Sequence, residues 1–585
     1  MAKVTIKLIL STVLLAAGCT PDSNSDIASK STSQTHVYEV VEQSLTAQIT
    51  YDNPYLDVDL WVDLDGPDDL HYRIPAFWDG GQTFRVRLVA TKPGKWHWST
   101  GSSTGDTGLD NQKGTFEAIA WTDKEKQENP NRRGFIRVAK NQHTLEYADG
   151  TPYFNTADTW WCTLTKVYSW DSDAGLSGIS FQDALALRKA QGFNSVNLIA
   201  CFPSDTMNGI WDKSSHGEKV AEDGSLPFEI ADPSDKDFGV DYTRINPRYW
   251  QQADRKWQHM WNNGFAPFME SVRRHEKWYD ENPREREAFV NYTRYLWARY
   301  GCYNMIYSWV HWDWDPKVLP QWKAMVNMAH DALGEMPYGQ PRTAMAWGSS
   351  LTTWLLEPGA VSADALDIHN VSNKGRDYQM QGWLRDIYNA KPTKPGANVE
   401  PFYPGWQNKL KEGLGETAMA QFQMYGSVLN GGFAGHAWGD LYYAGVATNP
   451  REGVVVPAGE PHVKGFNRYG ARTMGILKDF VLDKGHDYRT LIPATLTHHE
   501  DNERELCVLA LNKDKSVGLG FIAEGKDKRD IIGLPANVDY TIEWWNVDEG
   551  GWSAVGKLTT GATGKLVLPD PPNKNGWAYR IKRSN

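Results

Sequence analysis

At 585 residues the chain is too long for one compact core, and 41% hydrophobic with 23% charged residues describes a globular protein of several domains. Its 72 acidic residues outnumber 61 basic ones for a net charge of −11, which argues against nucleic acid as a partner while leaving local Arg or His free to hold an anionic ligand. The 27 Trp and 26 Tyr supply large cores and, where exposed, rings with an apolar face and a polar edge of the kind that suits a sugar.

The first segment reads as a targeting signal. Lys3 and Lys7 precede a short apolar run from Leu8 to Ala17, too short to span a bilayer. It ends in Leu15-Ala16-Ala17-Gly18-Cys19, which resembles a bacterial lipoprotein box with Cys19 as the lipidated mature N-terminus. Residues 1–18 are thus expected to be removed and 19–35, with almost no apolar residues, to form a tether. An exported protein is expected, anchored by its lipid at the cell surface or in the periplasm; an ordinary cleaved secretory signal is the alternative. Cys162, Cys201, Cys302 and Cys507 have no zinc or redox spacing and should be buried thiols, with Cys162–Cys201 the one pair to test.

Residues 36–122 alternate apolar and polar between turn signals, as in Leu56–Val62, Phe84–Val89 and Lys95–Trp98, and predict a β-sandwich. From 130 to 486 apolar strands alternate with amphipathic helices. The strands expected are Tyr153–Thr156, Ser195–Ile199, Ala266–Glu270, Met305–Val310, Arg342–Trp347, Ala365–His369, Ala397–Glu400 and Gly432–His436. Helices are expected at Phe181–Gln191, Pro247–Asn263, Pro283–Tyr300, Pro320–Leu333, Asp377–Ala390, Glu416–Leu429 and Lys464–Leu482, three of them opening on a proline that a first turn tolerates. This pattern predicts an α/β (β/α)₈ TIM barrel. A doubly wound sheet is the runner-up, weakened because no Gly-rich phosphate loop opens a helix. Residues 488–585 return to strands and predict a C-terminal β-sandwich.

In a barrel the chemistry sits where strands end. The expected strand ends deliver Asp158, Trp160 and Trp161; Glu270; His311-Trp312-Asp313-Trp314-Asp315; Trp347; His369; Glu400-Pro401-Phe402-Tyr403; and His436-Ala437-Trp438. Two carboxylates stand out. Glu400 closes a strand and is followed by proline and two aromatics. Asp313 lies between two Trp, where burial would raise its pKa as a proton donor needs, with Asp315 or Glu270 as substitutes. Strands four and seven face one another across a barrel mouth, so the pair can flank one glycosidic bond. Asp158, Trp160, Trp161, Trp312, Trp347, His369, Tyr403, His436 and Trp438 are the candidate sugar contacts. Lys374 and Arg376 could hold a uronate or sulfate but read more simply as solvated loop charges.

Several motifs carry a resemblance: Gly134-Phe135-Ile136-Arg137-Val138, Asp149-Gly150-Thr151-Pro152-Tyr153-Phe154, Asp158-Thr159-Trp160-Trp161, Asn398-Val399-Glu400-Pro401-Phe402-Tyr403 and Gly432-Phe433-Ala434-Gly435-His436-Ala437-Trp438-Gly439. With the order sandwich, barrel, small β domain, residues 38–580 resemble the apiosidase-like glycoside hydrolases that carry an N-terminal domain of unknown function. The resemblance implies an Asp acid/base after the fourth strand and a Glu nucleophile after the seventh, which map onto Asp313 and Glu400. The chain has His311-Trp312-Asp313 where members often have Gly-Gly-Asp, so apiose itself is not implied.

The expectation is therefore a retaining glycoside hydrolase acting on a plant or algal polysaccharide or oligosaccharide, without cofactor or metal, since no His-x-x-x-His or Cys cluster offers a metal site. A non-catalytic carbohydrate-binding lipoprotein and a polysaccharide lyase are the competing readings. The first has no need of paired carboxylates; the second needs a base and a neutraliser for a uronate.

Overall fold

A computed structural model describes residues 33–171, 179–203, 219–231, 239–274, 276, 278, 283–312, 315–372, 379–404, 415–440, 462–494, 507–524 and 530–584. Cys19, Asp313, Trp314, Lys374 and Arg376 lie outside them.

The first unit pairs a five-stranded sheet with a three-stranded one, in strands running from Ser33–His36 to Lys113–Ile119. Their alternating apolar residues, among them Val62, Leu64, Val86, Leu88, Trp96 and Phe116, meet in one buried cluster. The last unit is a six-stranded antiparallel sheet with a two-stranded companion, spanning Leu491–Pro493 to Trp577–Arg583.

Between them lies a nearly closed barrel sheet. Its eight parallel strands are Asn155–Thr159, Ser195–Ile199, Phe268–Glu270, Ile306–Trp312, Arg342–Ala346, His369–Ser372, Gly396–Glu400 and Gly435–Trp438. Except at the step from fifth to sixth, each pairs with its neighbour in sequence, and the first pairs with the eighth. Fifth and sixth are bridged by the amides of Asp367 and Ile368 donating to the Arg342 carbonyl, and by Thr343 Oγ1 donating to the Ile368 carbonyl. The short antiparallel strand Gly348–Ser349 lies along the sixth.

An α-helix follows every barrel strand but the fifth, after which the chain makes the π-helical turn Leu351–Leu356 and the 3₁₀ turn Ala363–Ala365 instead. The helix Pro247–Asn262 shows why the pattern folds as it does. Asn246 caps it by accepting from the Arg248 amide, Pro247 opens it, and Tyr249, Trp250, Ala253, Trp257, Met260 and Trp261 make one buried stripe.

Three strands are displaced from their sequence expectation. The first begins at Asn155, because Pro152–Tyr153 joins Ile136–Val138 and Leu145–Tyr147 in a small antiparallel sheet. The sixth begins at His369 and the eighth at Gly435. Ile136, Leu145, Tyr147 and Tyr153 from that small sheet fill the barrel interior against Phe268, Ile306, Met345, Ile368, Ala397 and Val399.

Both β units pack on the barrel. Arg87 of the N-terminal unit pairs with Asp254 at 2.6 Å and donates to the Arg299 carbonyl, while Arg299 pairs with Asp254 and with Asp79. On the other side Phe521 stacks on Tyr425 at 5.1 Å and Trp545 Nε1 donates to the Tyr425 hydroxyl. Cys162, Cys201, Cys302 and Cys507 are buried, and no disulfide joins Cys162 to Cys201. No helix among the described residues is long and apolar enough to cross a membrane.

Candidate active site

Glu400 is the last residue of the seventh strand and is buried. It faces Ser372 in register, immediately beyond an irregularity between Val371 and Ser372, and Ser372 Oγ donates to its Oε2. Bulges of this kind re-aim side chains beside active sites. The segment after it is pinned from three sides. Asn197 donates from the second strand to the Val399 carbonyl at 2.8 Å, Gln423 Oε1 accepts from the Phe402 amide, and the Tyr403 hydroxyl donates to Thr159 Oγ1 at 3.1 Å.

Across the mouth, Glu270 closes the third strand and His311 stands in the fourth. Glu270 Oε2 and His311 Nδ1 are 2.6 Å apart, both side chains buried. Backbone pairing continues past Glu270, with His311 donating to the Val272 carbonyl and Arg274 to that of His311, so the pair sits on a fixed frame. Tyr403 lies in the field of both carboxylates. Burial first, then the charges of Glu400 and Glu270, hold its phenol pKa well above the ordinary value, so it stays a neutral donor.

Trp161 joins the two halves. Its ring meets His311 edge-on at 5.3 Å and Tyr403 at 6.2 Å, and the Arg273 guanidinium lies 5.6 Å from it. Trp347 stands at the rim with 38% of its surface exposed, its amide held by the Trp312 carbonyl. Glu400, Glu270, His311, Tyr403 and Trp161 therefore form one polar, ring-walled mouth. Among the described residues no three His, Cys, Asp or Glu side chains group as metal ligands would.

The remaining candidates make other contacts, and for Asp158, His436 and Trp438 strand parity is the reason. Asp158 lies inside the first strand and points to the helix layer, where Arg188 of the helix Phe181–Ala190 pairs with it at 2.5 Å and Trp160 Nε1 donates to it at 2.6 Å. Trp160 stacks on Tyr168 at 5.0 Å in the same layer. His436 is in register with Asn398, whose amide reaches Ser427 on the helix Glu416–Leu429, so both face the helices. Trp438, two residues on, fills the space above Gly470, where an added Cβ would lie 2.0 Å from the ring. His369 opens its strand rather than closing it and bonds Ser350 Oγ at 3.1 Å. Burial lowers the pKa of His369 and of His436 to about 3, which keeps both neutral. Trp312 packs edge-on against Trp354 and donates to the Asp315 carbonyl. Asp158, Trp160, His369, Trp312, His436 and Trp438 thus make these contacts within the barrel's own frame. Trp161 and Tyr403 lie beside His311 and Glu400, and Trp347 is exposed beyond the fifth strand.

Sequence reasoning passed over Ser372, Arg273 and the role of His311. Ser372 was hidden because the sixth strand was placed four residues early. The signal for His311 was present, since it directly follows the expected fourth strand while Glu270 closes the third.

The sequence model of the apiosidase-like catalytic domain matches residues 139–486, and that of a domain of unknown function (DUF5060) matches residues 34–103. No protein of curated function matches the chain. A Bacteroides vulgatus protein classed with the glycoside hydrolases superposes with a TM-score of 0.65 at 18% identity, over 94% of this chain and 100% of its own. A family 5 glycoside hydrolase from the same organism superposes at 0.57 with 16% identity, over 78% of this chain and 94% of its own. At those identities the likeness is one of fold. The catalytic-domain match spans well over half of the sequence, and the chain belongs to the apiosidase-like family of glycoside hydrolases.

Proposed function

We propose that the chain is a retaining glycoside hydrolase in which Glu400 is the nucleophile and Asp313 the acid/base, working at the C-terminal mouth of a (β/α)₈-type barrel. The observation that carries this is the fixation of Glu400 by Ser372 at the end of the seventh strand, opposite the Glu270–His311 pair that leads to Asp313 two residues on. Asp313 protonates the leaving oxygen as Glu400 attacks the anomeric carbon and forms a glycosyl ester. Water, deprotonated by Asp313, then opens the ester and releases the sugar with its configuration retained. Tyr403, kept neutral and bonded to Thr159, holds its ring beside Glu400 and Trp161. Trp161 and Trp347 offer ring faces to the sugar.

The substrate class that fits is a plant or algal polysaccharide or oligosaccharide, met outside the cytoplasm by a protein anchored through a lipid on Cys19. Labelling with a clickable fatty acid tests the anchor: Cys19→Ala should lose the label. The acid is tested by Asp313→Asn. General acid catalysis contributes about 10²–10⁴-fold, so glycosides with basic leaving groups should lose that much more than activated aryl glycosides. Equal losses would pass the role to Asp315 or Glu270.

A further inference from the structure

A second cleft opens away from the carboxylates, on the seam between the N-terminal unit and the barrel. Its volume is about 350 Å³, at the lower end of ordinary ligand sites. One wall is the segment 49–54 with the hairpin carrying Trp78, Gly81 and Gln82; the other is Glu229, Arg244 and Ile245. The second wall belongs to the antiparallel pair Phe228–Ile230 and Val240–Ile245, inserted after the second barrel strand. That places it on the face where barrel strands end.

Two rings in the cleft are held before any ligand arrives. Trp78 Nε1 donates to the Gly81 carbonyl at 2.8 Å, which fixes the indole against its own turn. The Tyr51 hydroxyl bonds Thr104 Oγ1 at 2.8 Å and Asp106 Oδ2 at 3.1 Å. Asp106 also accepts from the amides of Gln48, Ile49 and Gly108. Burial would raise its pKa, but these amide bonds outweigh burial and hold the carboxylate below its usual range. A ring face anchored at its edge costs little ordering on binding. Beside the rings stand exposed polar groups, the Glu229 carboxylate and the Arg244 guanidinium. Asn53 ties the two walls together by donating to the Thr243 carbonyl at 2.8 Å.

The insertion also touches the mouth. Tyr242 donates to Glu276 at 2.8 Å, and its ring lies 4.3 Å from that of Trp278, both in the loop that follows Glu270 and carries Arg273. One hairpin therefore borders the cleft on one side and the loop of the catalytic mouth on the other.

We propose that this cleft is an accessory saccharide subsite, taking a remote portion of the polymer that the mouth cleaves. Trp78 and Tyr51 present apolar faces to sugar C–H surfaces, and Glu229, Arg244 and Gln82 take hydroxyls. The ligand class rests on the hydrolase reading; the site itself rests on the cleft.

Affinity electrophoresis in gels cast with galactan, arabinan, xylan or homogalacturonan tests it. The protein is Glu400→Gln, so turnover does not enter, compared with Glu400→Gln carrying Trp78→Ala or Arg244→Ala. Arg244 is exposed, so its removal keeps the test valid if Trp78→Ala fails to fold. At least one polysaccharide should retard Glu400→Gln. That affinity should fall roughly tenfold with Trp78→Ala, the equivalent of 1.4 kcal/mol, and about threefold with Arg244→Ala. Equal retardation of all three proteins, or retardation by none of the gels, overturns the subsite. Release of sugar from these polysaccharides by the native enzyme is read separately: turnover without Trp78-dependent binding sinks the cleft alone, and Trp78-dependent binding without turnover sinks the hydrolase reading alone.

Discussion

Glu270 and His311 share a 2.6 Å contact at the ends of adjacent barrel strands, buried beneath the ring of Trp161. The pair fixes the imidazole two residues before Asp313. Its expected role is to position that stretch of chain. Glu270→Gln should lower kcat roughly tenfold, or 1.4 kcal/mol of barrier, while KM changes little, because the substrate's own contacts are untouched. A variant whose KM rises with kcat unchanged would place Glu270 on the sugar instead.

A buried charged knot ties the N-terminal unit to the barrel. Burial would raise the Asp254 pKa, but Arg299 and Arg87 hold it below the ordinary carboxylate value. A depressed carboxylate contributes its stability in full above the unfolded pKa of about 4 and loses it as pH falls through the lower folded value. Asp254→Ala leaves two buried guanidinium groups without their shared anion, a change that costs about 3–5 kcal/mol. Thermal unfolding should show the loss, with the N-terminal unit becoming protease-sensitive first. An unchanged melting temperature would mean that the apolar contacts at the seam suffice.

Three buried histidines set the acid limit earlier than the carboxylates do. Burial lowers the pKa of His369 and His436 to about 3 and that of His486 to about 4. In the unfolded chain each titrates near 6.5. Between those values the unfolded state binds more protons, so stability should rise with pH up to about 6.5 and then level. His436→Asn should flatten the slope of melting temperature against pH between about 4 and 6.5. A slope that begins only below about pH 4 would assign acid unfolding to carboxylates alone.

The barrel was legible because its helices carry clear stripes and its prolines mark their starts. The strand ends were not. A strand buried on both faces reads as a continuous apolar run, with no alternation to say which residue faces the mouth and which the helices. Asp158 looked like a rim carboxylate, yet its parity turns it to Arg188, a partner 30 residues away. His436 and Trp438 share that fate. Glu400 was placed correctly at its strand end, because the proline and aromatics that follow it mark where the strand must stop.

The account stands most directly on Glu400. In Glu400→Gly the space left by the carboxylate admits azide, which would attack the anomeric carbon from the side the nucleophile held. On an activated aryl glycoside the small variant should be nearly inactive alone and be rescued by azide, and proton NMR should show a glycosyl azide of inverted configuration. Azide product of retained configuration, or full activity without azide, would contradict Glu400 as the nucleophile.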